Sequence, residues 1–184
     1  MPGFLPAAAL LVATLTSGLI AGLFYAYTCS VMPGLRRAGD RSFVDAMQRI
    51  NVAILNGWFA LTFAGGPLAT AAAAALHLGY GQGDGGGDVG GLDGLHRGRH
   101  DGGGVLPWTV AALLCHCAML VITFAVNVPL NNRLDAAGPP ERVADPALVR
   151  ARFEARWVRW NLVRTLASVA AFACLLAGMT AQAG

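Results

Sequence analysis

The residues of this chain that could do chemistry are few, and they recur at helical spacing. At about 100° per residue, Trp157, Trp160, Asn161, Arg164 and Ser168 fall within one arc of about 100°, whereas Arg159 points the other way. His116, Thr123, Asn127 and Asn131 make a comparable stripe. Asn51, Trp58 and Thr62 make another, and Thr14, Gly18, Gly22, Tyr25 and Cys29 a further one. A guanidinium and carboxamides aimed at one point can stabilise an oxyanion. Indole and phenol rings pack against a flat apolar ligand. No carboxylate belongs to the set. Two plainer roles compete with this reading. Trp157, taken alone, reads as an interfacial anchor, and the carboxamides can serve as hydrogen-bonding glue between helices.

Other chemistries find less support. Cys115-His116-Cys117 invites a metal, but residues two apart on a helix diverge by about 200°, so both thiols do not easily reach one ion. Structural cysteine is the better reading, and no C-x-x-C pair is present for thiol redox work. A haem held by His77 and His116 would need both at one depth. They differ by about six residues, roughly 9 Å at the rise of an α-helix. No metal ligand set is therefore assigned. Residues 79–104 are half glycine, interspersed with aspartate, arginine and His96 and His100. They lack the spacing of a phosphate-binding loop and read as a disordered loop.

The elements that would position the polar stripes follow from where charge is missing. Only 12% of the 184 residues are charged, against about 25% in an ordinary soluble protein. None occurs before Arg36, between Arg49 and Asp84, between Asp101 and Arg133, or after Arg164. Each gap can supply the roughly 20 apolar residues that cross a bilayer as a helix. The reading is one transmembrane domain over 1–184, an all-α four-helix bundle in up-down-up-down order. Its spans are placed at about 6–31, 52–78, 106–130 and 157–179. The first lacks a basic n-region and outruns a signal-peptide core, so it is read as a retained span. Ser42 and Asp45 resemble a capping box. With Phe43, Ala46, Met47 and Ile50 at helical spacing, they suggest a short interfacial helix between spans one and two. Gly65-Gly66-Pro67 should kink the second span.

All thirteen basic residues are arginine, and they sort by side. The first connection carries four, the third carries six, and the glycine-rich loop carries two against four aspartates. The positive-inside rule then puts the first and third connections in the cytoplasm and both termini outside, in the inner (plasma) membrane. The net charge of +3 gives no reason to expect nucleic acid. The polar stripes meet at the arginine-rich end, where spans one and three finish and spans two and four begin.

Particular segments also resemble a known family. Phe24-Tyr25-Ala26-Tyr27 with Met32-Pro33-Gly34-Leu35, Phe43 to Asn51, Asn127-Val128-Pro129-Leu130-Asn131, and Trp157-x-x-Trp160-Asn161-x-x-Arg164-Thr165 are similar to the anthrone oxygenase-like proteins. These are small four-helix membrane proteins, most of them bacterial. The resemblance spans nearly the whole chain apart from the glycine-rich loop. It implies oxidation of an anthrone to an anthraquinone by O₂ with no cofactor. The matching positions are Tyr25, Asn51, Asn127, Asn131, Trp157, Trp160, Asn161 and Arg164.

The expected function is thus a cofactor-independent oxygenase of an anthrone-type or phenolic polycycle taken from the membrane. Arg164, Asn161, Asn127 and Tyr25 would act on the enolate and its proton. Trp157, Trp160, Asn131, Asn51 and Trp58 would hold the rings. The base would be Tyr25 or the acidity of the substrate itself. The alternative is a non-catalytic protein that binds a lipid, quinone or other small hydrophobic molecule. A homo-oligomer is compatible with either, with Gly18 and Gly22 available for close helix contact.

Overall fold

The structure, a computed structural model, describes residues 4–83 and 104–183. Five helices account for nearly all of them: α1 (Phe4–Arg36), α2 (Asp40–Ala53), α3 (Gly57–Gly83), α4 (Val105–Asp135) and α5 (Pro146–Ala183). All but α2 are long and apolar enough to cross a membrane. The chain is a multi-pass membrane protein, and its fold is an all-α bundle.

Neighbours in the bundle follow chain order: α1 packs on α3, α3 on α4, α4 on α5, and α5 closes onto α1. Contacts between α1 and α5 run antiparallel, since Thr14 meets Met179 while Thr28 meets Thr165. Small residues set the spacing at the end away from the arginines, where Ala13, Ala73, Ala112 and Ala171 are buried beside Leu10, Val105 and Leu175. A Cβ on Gly18 would lie 3.1 Å from the Phe172 ring, so glycine is what lets α1 approach α5 there. Gly22 is exposed, and nothing lies near its absent Cβ. Leu15, Leu19, Leu61, Leu114 and Val121 are exposed on the outside. In lipid their exposure carries no hydrophobic penalty.

The helix boundaries correct the sequence reading in physical terms. α1 does not stop before Met32-Pro33-Gly34 but continues to Arg36. α3 starts at Gly57 rather than 52, because the chain breaks at 54–56. There Asn56 Oδ1 caps the new helix by accepting from the Phe59 N–H at 3.0 Å. α5 starts eleven residues earlier than read, at Pro146. Asp145 caps it through the Leu148 N–H, with proline at the first helical position. The capping box at Ser42 is absent: α2 begins after Gly39, and Asp45 instead pairs with Arg49 at 2.7 Å. Gly65-Gly66-Pro67 lies inside α3 without interrupting it. The glycine-rich loop falls, from 84 to 103, outside the described residues; 79–83 continue α3.

Helix α2 closes the arginine-rich end. It buries Phe43, Val44 and Met47 against Met32, Leu130, Leu134, Phe153 and Trp157. Polar ties hold it in place. The Arg150 guanidinium donates to the carbonyls of Arg36 and Ala38, pairs with Asp40 and Glu154, and lies 4.5 Å over the Phe43 ring. Gln48 donates to the carbonyls of Leu134 and Gly138, satisfying acceptors at the end of α4. Arg41 donates to the carbonyls of Pro140 and Val143.

Two helices contain one wide turn each, at Tyr27–Val31 in α1 and Thr123–Asn127 in α4. Both have one cause. A proline in a helix has no N–H to donate, and its ring clashes with the carbonyl four residues back. Pro33 and Pro129 stand two residues past their wide turns. In each case the residue before the proline bonds five residues back, Met32 to Tyr27 and Val128 to Thr123. The extra residue moves the offending carbonyl aside while the helix continues. Wide turns of this kind recur at functional sites.

Candidate functional site

A groove of about 280 Å³ opens at the level of the two wide turns. Phe24 and Tyr27 of α1 line it, as do Gln48, Asn51 and Val52 of α2. Ile54 and Leu55 come from the break after α2, and Phe59 and Phe63 from α3. Thr123, Phe124, Asn127, Val128, Asn131, Asn132 and Asp135 come from α4, and Trp157 and Arg164 from α5. All five helices contribute. Val52, Leu55 and Phe124 among its lining are exposed hydrophobics, so part of its rim is apolar.

Arg164 is the charged residue at the centre. It is 7% exposed, and among the described residues no carboxylate pairs with it. Its guanidinium lies 3.8 Å over the Phe24 ring and 5.8 Å from that of Trp157. Nη2 donates to Asn161 Oδ1 at 2.6 Å. Asn161 is held in turn, its Nδ2 donating to the Phe24 carbonyl at 3.2 Å and to Thr28 Oγ1 at 3.0 Å. Those bonds occupy the Asn161 amide and fix the arginine's direction. Asn161 therefore positions Arg164 and does not itself line the groove.

Asn127 is the opposite case. It is 1% exposed and lines the groove, yet neither its amide nitrogen nor its amide oxygen has a hydrogen-bond partner. Asn51 Nδ2 and Arg164 Nε are likewise buried without partners. Each such group costs about 1–3 kcal/mol when nothing satisfies it, and buried polar groups are normally paired. Four unpaired atoms from three helices lie on one groove, with donors on Asn51, Asn127 and Arg164 and an acceptor on Asn127 free to bond a ligand.

The walls are aromatic. Trp157 is buried, and its indole N–H donates to Asn131 Oδ1 at 2.9 Å. Its ring lies 5.6 Å from Tyr27 and 5.9 Å from Phe153 between centroids. Phe59 stacks on Phe63 at 5.1 Å, and Phe63 meets Phe124 edge-on at 6.0 Å.

Of the residues singled out from sequence, Arg164, Asn127, Asn131, Asn51 and Trp157 come together on the groove. Asn161 stands directly behind it. Tyr25, Trp58 and Trp160 do not line it. Tyr25 is 58% exposed because the buried face of α1 runs through Ser17, Ile20, Phe24 and Tyr27, about 140° around the helix from the centre of the arc drawn through Tyr25. Trp58 is 82% exposed at the start of α3, as an interfacial anchor would be. Trp160 is half-buried.

Tyr27 was missed although it stands three residues after Phe24 on the buried face. The phenylalanines were missed because apolar residues in a span carry no polar signal. Asp135 corrects a further expectation: a carboxylate does line the groove, at its exposed mouth.

A second polar cluster lies deeper. His116, fully buried, has Ser17 Oγ at 3.0 Å from Nε2 and Thr70 Oγ1 at 3.4 Å from Nδ1. A Cβ on Gly66 would stand 3.2 Å from Ser17 Oγ and 3.3 Å from His116 Nε2. Glycine therefore makes the room for this link between α1, α3 and α4. His77 is engaged with the Ala73 carbonyl at 2.7 Å. The four cysteines are free thiols, Cys117 exposed and Cys115 half-buried. Among the described residues, no three His, Cys, Asp or Glu side chains gather into a metal site.

The family model described as anthrone oxygenase matches residues 58–174. The match runs from the start of α3 well into α5 and includes Asn127, Asn131, Trp157, Asn161 and Arg164. No curated protein and no solved structure matches the chain.

Proposed function

The chain belongs to the anthrone oxygenase family, and on that premise we propose that its groove takes an anthrone-type or phenolic polycycle from the membrane and oxidises it with O₂. The observation that carries this reading is the set of unpaired polar atoms on Arg164, Asn127 and Asn51 within an aromatic wall. The volume of about 280 Å³ stands at the lower end of small-molecule sites. It suits a single flat ligand. The exposed rim at Val52, Leu55 and Phe124 supports entry from lipid.

In this reading the carbonyl oxygen on the substrate's ring meets Arg164, whose guanidinium pairs with no carboxylate among the described residues. A hydrogen bond from Asn127 or Asn51 strengthens as that oxygen gains charge, the condition for stabilising a transition state. Loss of the ring CH₂ proton gives an enolate. Tyr27, the phenol on the groove, is the side chain that relays this proton, in the role expected of Tyr25. The enolate carbon gives its electrons to O₂ and forms a C–O bond. Loss of water from the resulting hydroperoxide leaves the new carbonyl. One oxygen atom enters the product, the other leaves as water, and the substrate supplies all the electrons. O₂ is the co-substrate and no cofactor is required.

Membranes carrying the protein, incubated with emodin anthrone and O₂, should form the quinone faster than empty membranes. The Arg164→Ala variant should fall to the empty-membrane rate. Equal rates for wild type and empty membranes would overturn the enzyme reading. Tight binding of a quinone or lipid without turnover would point instead to a binding protein.

A further inference from the structure

A second cleft of about 670 Å³ lies behind the groove, between the last turns of α4 and the first turns of α5. Its floor is apolar: Leu130, Leu134 and Phe153 are each buried. Its rim carries Arg133 and Arg152, both exposed. Three other arginines at this end have carboxylate partners, Arg36 and Arg150 on Glu154, Arg150 also on Asp40, and Arg49 on Asp45. Arg37, Arg142, Arg156 and Arg159 have none among the described residues, so what sets Arg133 and Arg152 apart is the apolar floor they share. Among the described residues no carboxylate pairs with Arg133 or Arg152. Two open guanidinium groups thus stand over a greasy floor.

The level of the cleft matters as much as its charge. Arg133 lies three residues beyond Leu130, and Arg152 five before Trp157. Both therefore stand just outside the apolar part of the bundle, where lipid phosphates lie. Basic pockets between helices at this level bind anionic headgroups. A soluble anion has no use for the floor, and an uncharged lipid has none for the two cations. We infer that this cleft binds an anionic phospholipid, its phosphate on Arg133 and Arg152 and its first methylenes on Leu130, Leu134 and Phe153.

The site is independent of what the groove does, but it shares walls with it. Leu130, Arg133 and Leu134 occupy one face of the α4 end, while Asn127, Asn131 and Asp135 line the groove from the other. Phe153, on the cleft floor, stacks on Trp157 of the groove with ring centroids 5.9 Å apart. A lipid here would hold the end of α4 against α5, and with them Asn131 and Trp157.

The test uses the full-length protein in mild detergent, titrated with phosphatidylglycerol, phosphatidylcholine or inorganic phosphate. Thermal unfolding and native mass spectrometry are the readouts. Phosphatidylglycerol should bind and raise the melting temperature by mass action; the other two should not. The double variant Arg133→Gln/Arg152→Gln should bind phosphatidylglycerol about tenfold or more weakly, with unchanged melting in phosphatidylcholine. Each single variant, read alongside, should show part of that loss. Arg159→Gln, outside the cleft, should bind as wild type does. The inference is overturned if the double variant, or both single variants, keep full affinity. It is overturned equally if Arg159→Gln loses as much, or if inorganic phosphate reproduces the shift.

Discussion

At the residue scale the site is defined by what its polar groups lack. Asn161 has its hydrogen bonds and holds Arg164; Asn127 has none and faces the groove. The two carboxamides look alike in sequence and play opposite parts, because one meets a backbone carbonyl and a threonine while the other meets open space. Replacing an unpaired buried amide by an apolar group of similar size removes a desolvation cost of about 1–3 kcal/mol. Asn127→Leu should therefore melt higher than wild type, yet lose ligand affinity and turnover; melting curves and quinone formation on one preparation check both. Lysine lacks the planar fork that reaches Asn161 Oδ1 and lies flat on Phe24. Arg164→Lys should lower the rate about 10²-fold, the scale of losing one well-aimed donor. A near-normal rate would show that charge alone suffices.

At the element scale the two prolines explain how helices with weak sequence patterns place their side chains. The spans, their number and the interfacial helix were legible, because missing charge and apolar length are strong signals. The rotation of α1 was not. Of its polar and small stripe, Thr14 is buried and Gly18 packs on Phe172, but Gly22 and Tyr25 are exposed, because nearer the arginine-rich end packing buries the face of Ile20, Phe24 and Tyr27 instead. In a membrane, apolar residues suit both lipid and core, so hydrophobicity does not say which face turns inward. The wide turns were written in Met32-Pro33 and Val128-Pro129, yet their cost in register shows only with the backbone bonds in view. Pro129→Ala restores an N–H at that position. It should let the wide turn close and rotate Phe124 and Asn127 against Asn131, cutting turnover at least about tenfold in a folded protein. Turnover and melting measured together check this. Gly66→Ala should destabilise by about 1–3 kcal/mol through crowding of Ser17 and His116. Gly22→Ala, with nothing near its Cβ, should be neutral or stabilising.

At the scale of the whole molecule, the bundle has two unlike ends. One is packed with alanine and leucine. The other is capped by α2, ringed with arginine and opened by the groove. We place the arginine-rich end in the cytoplasm on the count of four and six arginines in the flanking connections. Alkaline phosphatase fused to the C-terminus should then be active and a fluorescent protein fused there dark; the reverse pattern would invert the orientation. Under the proposed function this bundle by itself lets an electron-rich aromatic substrate reduce O₂. Purified protein in liposomes, supplied with emodin anthrone and isotopically labelled O₂, tests it most directly. Quinone should form well above the rate in protein-free liposomes, with one labelled oxygen in each product molecule and the other in water. A rate no greater than that of protein-free liposomes would contradict it, as would product that carries no label.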